Sequence, residues 1–262
     1  YLGFIHIADC ANVTVRGCMF SGHRIYETIG SAGETVSMGT YDFSVRRAVN
    51  VTFKNCKQYD SITDTSLWGI MESSFSKNLV YDGCELSRFD AHMGLANGTV
   101  RNSVLGHTGV NVTGFGTLLV ENTKVCSDRA MISLRGDYGS FWDGEVVIRD
   151  CEYVPSGSPL ALISGSNNGT HDFGYPCMLP RKVTVDGLVI DDSTHLFFYF
   201  GPYIIDYFNQ NFGIRNPYPY GRCGEVTVKN VTVKSGWRLL KGPLWSLFAL
   251  RDIKIKRYSA TA

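Results

Sequence analysis

Ionisable side chains crowd the stretch from residue 84 to 143, and their types suit acid–base chemistry. Arg88, Asp90 and His92 fall at alternate positions, so an extended strand places all three on one face. His107, Asn111 and Arg129 follow, and then the glycine-rich run Arg135-Gly136-Asp137-Tyr138-Gly139-Ser140-Phe141-Trp142-Asp143 adds an arginine, two carboxylates and three aromatics. Two reactions need such groups. A carboxylic acid that protonates a bridging oxygen, with a second carboxylate to activate water or attack, cleaves a glycosidic bond, and Asp90, Asp137 and Asp143 are the candidates. A base that removes a proton beside a carboxylate, with a cation to offset the developing charge, gives elimination instead. His92 or His107 would then be base, and Arg129 or Arg135 the stabiliser. Tyr138 and Trp142 offer flat apolar faces suited to sugar rings, with Arg88, Asn111, Arg129 and Asp143 beside them for hydroxyl groups. Arg88, Asp90, Arg129 and Asp137 also read as solvated ion pairs along a ladder, without chemistry.

The elements that must position these residues are written in a seven-residue phrase. It reads Asn-Val-Thr-Val-Arg-Gly-Cys at 12–18, Asn-Val-Thr-Phe-Lys-Asn-Cys at 50–56 and Asn-Leu-Val-Tyr-Asp-Gly-Cys at 78–84, with fainter copies at 97–103, 117–123, 145–151, 182–188, 225–231 and 252–258. The second and fourth residues are apolar and the third and fifth mostly polar, the alternation of a strand with one buried face. The sixth is Gly17, Asn55, Gly83, Asn102, Asn122 or Gly187, types that tolerate a left-handed corner. Spacings near 20 residues, lengthened by insertions, predict an all-β parallel β-helix whose coils stack at about 4.8 Å. In the short coils, counting forward from Cys84, Ser103 and Thr123 aligns Arg88 with His107 and Ser127, Asp90 with Gly109 and Arg129, and His92 with Asn111 and Met131.

This pattern resembles the right-handed parallel β-helix superfamily of pectate lyases, polygalacturonases, other polysaccharide-cleaving enzymes and phage tailspikes. The likeness covers nearly the whole chain and is architectural. The polygalacturonase set, an early Asn-x-Asp followed by Asp-Asp, Gly-His-Gly and Arg-x-Lys, is absent. Gly106-His107-Thr108-Gly109 is its nearest fragment, and Asp191-Asp192 follows rather than precedes it. The resemblance implies one right-handed, single-stranded β-helix domain over 1–262, of about nine or more coils. It further implies an extracellular or cell-surface protein that binds, and in an enzyme cleaves, a polysaccharide. The alternative is a non-catalytic glycan-binding or structural module of tailspike or adhesin type. Tailspike-like members imply a homo-oligomer, namely a trimer.

Composition narrows the field further. With 25 basic and 24 acidic residues, a net charge of +1 and no basic cluster, the chain lacks the footprint of a nucleic-acid binder. Its richest apolar run, near 196–208, is broken by Gly201, Pro202 and Asp206, which argues against a membrane span. Converging carboxylates are compatible with calcium, but no loop spacing demands it, and no metal ligand set is assigned. Cys18, Cys56, Cys84 and Cys151 share one position of the phrase with Ser103, Thr123, Leu188 and Val231, which predicts an internal ladder of small side chains rather than zinc. Cys177 and Cys223 are the one pair placed to bridge. The Asn-x-Ser/Thr triplets at Asn12, Asn50, Asn97, Asn111, Asn168 and Asn230 mostly coincide with the phrase, so the repeat explains them better than glycosylation. An aromatic-rich insertion spans 195–223 and reads as a core strand followed by a segment folded over the coil, the alternative being an exposed apolar patch for a sugar polymer or a neighbouring subunit. The chain begins at Tyr1 with strand already at 4–7, so it reads as a fragment of a longer protein.

Overall fold

In a computed structural model of the chain, the apolar second residue of each phrase stacks on that of the next. The structure describes residues 2–20, 23–24, 26–38, 40–65, 67–69, 71–157, 161–167, 178–194, 203–205, 209–210, 223–234 and 254–261. Val13, Val51, Leu79, Gly98, Leu118, Val146, Val183, Val226 and Ile255 are successive parallel partners in one column. The last copy departs from expectation: Lys254, not Asp252, pairs with Glu225, so the phrase there begins two residues later.

Two further parallel columns complete each turn. One follows the phrase, running through Phe20, Gln58, Leu86, Leu105, Val125, Tyr153, Ile190 and Val233. The other precedes it and pairs Ile5 with Phe43 and Phe43 with Met71, and later Phe89 with Val110, Ile132 and Ile163. Nearly all-β content with parallel pairing from turn to turn is the construction of a β-solenoid. The inward residues form one continuous apolar core, each fully buried aliphatic side chain contributing about 1.5–3 kcal/mol. Edge-to-face contacts between Phe20, Phe43, Phe53, Tyr81 and Phe89, at centroid separations of 5.0–5.5 Å, run through it.

The corners explain the polar letters of the phrase. Gly17, Asn55, Gly83, Asn102, Asn122 and Gly187 all have φ between 44° and 74°, as their types predict. The leading asparagines are left-handed too, and their amides form a ladder: Asn50 donates to Asn12 at 2.9 Å, Asn78 to Asn50 at 2.8 Å and Asn97 to Asn78 at 3.0 Å. Three of the Asn-x-Ser/Thr triplets are therefore rungs of this ladder. An Asn78→Ala substitution loses two rungs and strains a left-handed backbone, so it should cost about 2–3 kcal/mol in urea unfolding, whereas Asn78→Gly should cost about half. Equal losses would mean that the amides contribute and the backbone angle does not.

The seventh position is the expected internal ladder. Cys84, Ser103, Thr123 and Cys151 each donate to the carbonyl two residues back, at 3.7, 2.7, 2.8 and 3.1 Å. Where Leu188 and Val231 take over, packing replaces that bond. Cys177 lies outside the described residues, and the Cys223 thiol donates to the Glu225 carbonyl at 3.4 Å. Most of the 195–223 insertion is also outside them; Tyr203–Ile205 pairs in parallel with Ala161–Asn167 and buries Ile204 and Ile205.

Excursions of the chain lie beside the face that precedes the phrase. Leu67–Gly69 pairs antiparallel with His23–Arg24, and Tyr26–Ile29 with Thr35–Met38. Leu67–Gly69 packs on the strands Thr40–Arg46 and Glu85–Arg101, so close that a Cβ at Gly69 would stand 2.7 Å from Arg88 Nε.

Candidate functional site

On that face the strand alternation sets two columns back to back. Phe89, Val110, Ile132 and Ile163 point into the core, while Asp90, Asn111, Ser133 and Ser164 form the opposite, polar column. Its upper end is buried and its lower members are half-buried. The Ser164 hydroxyl donates to Ser133 Oγ at 3.4 Å and the Asn111 amide to Asp90 at 3.4 Å.

Asp90 is the hub. Its side chain is fully buried and meets Arg135 at 2.6 Å, Arg88 at 2.9 Å and the donating Tyr41 hydroxyl at 3.0 Å. Burial alone would raise its pKa, but the guanidinium groups of Arg88 and Arg135, with His92, hold it well below the usual carboxylate range. Burial and then Asp90 push the Tyr41 hydroxyl up, so it stays protonated at neutral pH. Arg135 is held cationic by Asp90 and Asp137 in spite of its own burial. It forks, donating to Asp90 through one nitrogen and to both oxygens of Asp137 through the others, at 3.2 and 2.8 Å. Asp137 sits in the short 3-10 turn Gly136–Tyr138 with its side chain 35% exposed, so it carries the charge of this cluster toward solvent.

A second buried carboxylate extends the network. Glu72 accepts from Ser44 at 2.5 Å and from two nitrogens of Arg46 at 3.0 and 2.9 Å. His92 stands between the carboxylates, Nε2 3.4 Å from Asp90 and Nδ1 3.7 Å from Glu72, with the Tyr41 hydroxyl 2.9 Å from Nε2. Among the described residues, no group of three or more His, Cys, Asp or Glu side chains is arranged to hold a metal ion.

Of the residues singled out in the sequence, Arg88, Asp90, His92, Asn111, Arg135 and Asp137 meet here. His107 stands elsewhere: it belongs to a bulge at 106–108 where its amide donates to the Ile62 carbonyl at 3.1 Å and its own carbonyl accepts from Ser127 Oγ at 2.8 Å. Arg129 points to solvent near Asp128, and Asp143 forms an exposed two-point ion pair with Arg181 at 2.5 and 3.0 Å. Trp142 is fully buried with its indole N–H directed at the Gly116 and Glu145 carbonyls, each 3.3 Å away, so it is a core residue and offers no face to a sugar. The side chain of Tyr138 lies outside the described residues. Sequence reading missed Tyr41, Ser44 and Arg46, which an excursion at 59–70 separates from Asp90, and Glu72, which lies on the coil directly before it. The available signal was the pairing of Phe43 with Met71, which sets Ser44 against Glu72 on the polar side.

Parallel faces, polar groups gathered on one of them and excursions packed beside it define this chain as a β-solenoid with a polar cluster on the flank of the coil. No family model matches it. The chain is similar to a depolymerase described as capsule KL64-specific from Klebsiella phage P510, with 33% identity over 148 residues, covering 46% of this chain and 14% of that protein. The chain thus spans only a small part of the relative's length. No helix among the described residues is long and apolar enough to cross a membrane.

Proposed function

We propose that the chain is part of the body of a surface depolymerase, a single right-handed β-helix domain of about nine or more coils that binds and cleaves an extracellular polysaccharide. The observation that carries this reading is the fork of Arg135, which ties the buried Asp90 to the solvent-facing Asp137 beside the half-buried column Asn111, Ser133 and Ser164. Likeness to a capsule-specific phage depolymerase supports the substrate class. Asp137, oriented at both oxygens by a guanidinium and half-exposed, is placed to act as a base or nucleophile. Asp90 is not suited to be the acid, because a carboxylate held by two arginines has no proton to give. Arg135 serves as a positioning residue, and the protonated Tyr41 and the Asn111 amide supply hydrogen bonds along the same face. Between the two reactions, elimination at a uronic acid fits better, since it asks for a base and cations rather than a second carboxylic acid.

The burial of Arg88, Asp90 and His92 favours a second reading, in which the cluster is structural and the chain holds a glycan without cleaving it. Incubation with a panel of neutral and uronic-acid polysaccharides separates them. New reducing ends with near-ultraviolet absorbance are the expected result; reducing ends without absorbance would mean hydrolysis, and binding without either would leave the non-catalytic module.

A further inference from the structure

Around the corner from the polar face lies a groove of about 540 Å³ that the chemistry above does not use. Phe75, Phe115 and Phe141 line it with Met93, and Arg47 and Lys77 stand among them; no acidic residue does so among the described residues. Phe75 and Phe115 are 52% and 47% exposed. Phe75 is costly on two counts. Its ring meets water, and its φ of 55° is left-handed, at a corner where the next coil uses Gly94 with φ 62°. A bulky residue in that region is an outlier whose strain surrounding structure must offset. Gly94 makes room for it: a Cβ there would stand 2.9 Å from the Phe75 ring. Phe75 and Phe115 come from coils two apart, about 10 Å along the axis. Arg47 is already held by Asp9 through two bonds of 2.6 Å, while Lys77 is exposed and makes no ion pair among the described residues.

The groove adjoins the polar face. Met93 and Gly94 directly follow His92, and Thr113, which also lines the groove, donates to the His92 carbonyl. We infer that this groove is a binding subsite for a carboxylate-bearing polysaccharide, whose ring faces rest on Phe75 and Phe115 and whose acid groups meet Lys77. The inference rests on the proposed polysaccharide function and extends it to a polymer that is acidic and runs across the corner toward Asp137. Aromatic rings take the apolar face of a sugar, and an exposed lysine at a groove whose described lining holds no acidic side chain favours the acidic chain over a neutral one.

Calorimetric titration tests it with uronic-acid capsular polysaccharides and the same polymers after carboxyl reduction to alcohols. Wild-type protein should bind the native polymer about tenfold more tightly than the reduced form, and Lys77→Gln should erase most of that preference. The pair Phe75→Asn and Phe115→Ser should weaken binding of both forms about tenfold or more. The melting temperature should not fall for Phe75→Asn, since asparagine accepts the left-handed backbone. Unchanged affinities in these variants, with wild-type binding intact, would overturn the subsite and leave the proposed function standing. Light scattering that shows a wild-type oligomer dissociated by the aromatic substitutions, without loss of polymer binding, would overturn it in favour of a second copy of the chain. Failure of the wild type to bind or cleave any polymer would remove both readings together.

Discussion

Asp90→Ala should lower the unfolding free energy by about 3–5 kcal/mol, the usual consequence of removing one partner from a buried, hydrogen-bonded ion pair. Two guanidinium groups converge on this carboxylate, and the Arg88 and Arg135 side chains are 7% and 8% exposed, so neither can exchange it fully for water. Tyr41 and His92 would also lose an acceptor. Asp90→Asn, which keeps the shape and one acceptor oxygen but removes the charge, should fall between the two. The pH dependence follows from the direction of the shift. Because the folded carboxylate binds its proton less readily than an exposed aspartate, its contribution is complete above about pH 4 and is lost as the pH falls, the unfolded chain taking up the proton first. Wild-type stability should therefore decline from about pH 5 to 2 more steeply than that of either variant. Urea midpoints across this range measure both effects. A loss below about 1 kcal/mol in Asp90→Ala would mean that water reaches the cluster and that its charges are not buried in solution.

The phrase was readable because its letters answer to separate physical demands. Inward positions need apolar volume every second residue, and corners need Asn or Gly for a left-handed backbone, so Val51, Asn55 and Gly83 announce their places without help from the rest of the chain. The candidate site was less legible, because it depends on register between coils rather than on the pattern within one. Forward counting set Asp90 beside Gly109 and Arg129, whereas its column continues through Asn111 and Ser133. The slip arises at 106–108, where Gly106 lies so close to the Ile62 carbonyl that a side chain would overlap it, and the extra residues bulge out of the strand. That displacement moves Asn111 into the column, and a second offset in the next coil, between Val125 and Ile132, moves Arg129 out of it. Trp142 was misjudged for a different reason: composition reports a flat apolar face but not which way the strand turns it. Tyr41 was out of reach, since the excursion at 59–70 hides which residues of the coils on either side become neighbours, whereas Glu72, one short coil before Asp90, lay within reach of the same count run backward.

If the chain cleaves a polysaccharide as proposed, Asp137→Asn should abolish that cleavage while leaving the fold and polymer binding nearly intact. Asparagine keeps one acceptor oxygen for Arg135 and fills the same space, and the residue occupies a short exposed turn rather than a packed strand, so little of the core depends on it. What it loses is the ability to take a proton or attack, and removing a general base typically slows turnover by about 10²–10⁴-fold. Arg135→Lys separates positioning from charge. It retains a cation near Asp90 but not the planar fork that reaches Asp90 and Asp137 together, so kcat should fall by about 10²-fold with KM much less affected. Burial of Arg135 makes its stability the necessary companion measurement, and rates should be compared at temperatures where both proteins are folded. If Asp137→Asn turns over at the wild-type rate, Asp137 is not the catalytic base. If it is inactive while Arg135→Lys retains full kcat, the carboxylate acts without being oriented by its arginine. Loss of kcat in both, with binding preserved, is the pattern expected of a carboxylate presented to the polymer by a guanidinium whose other hand is anchored on the buried Asp90.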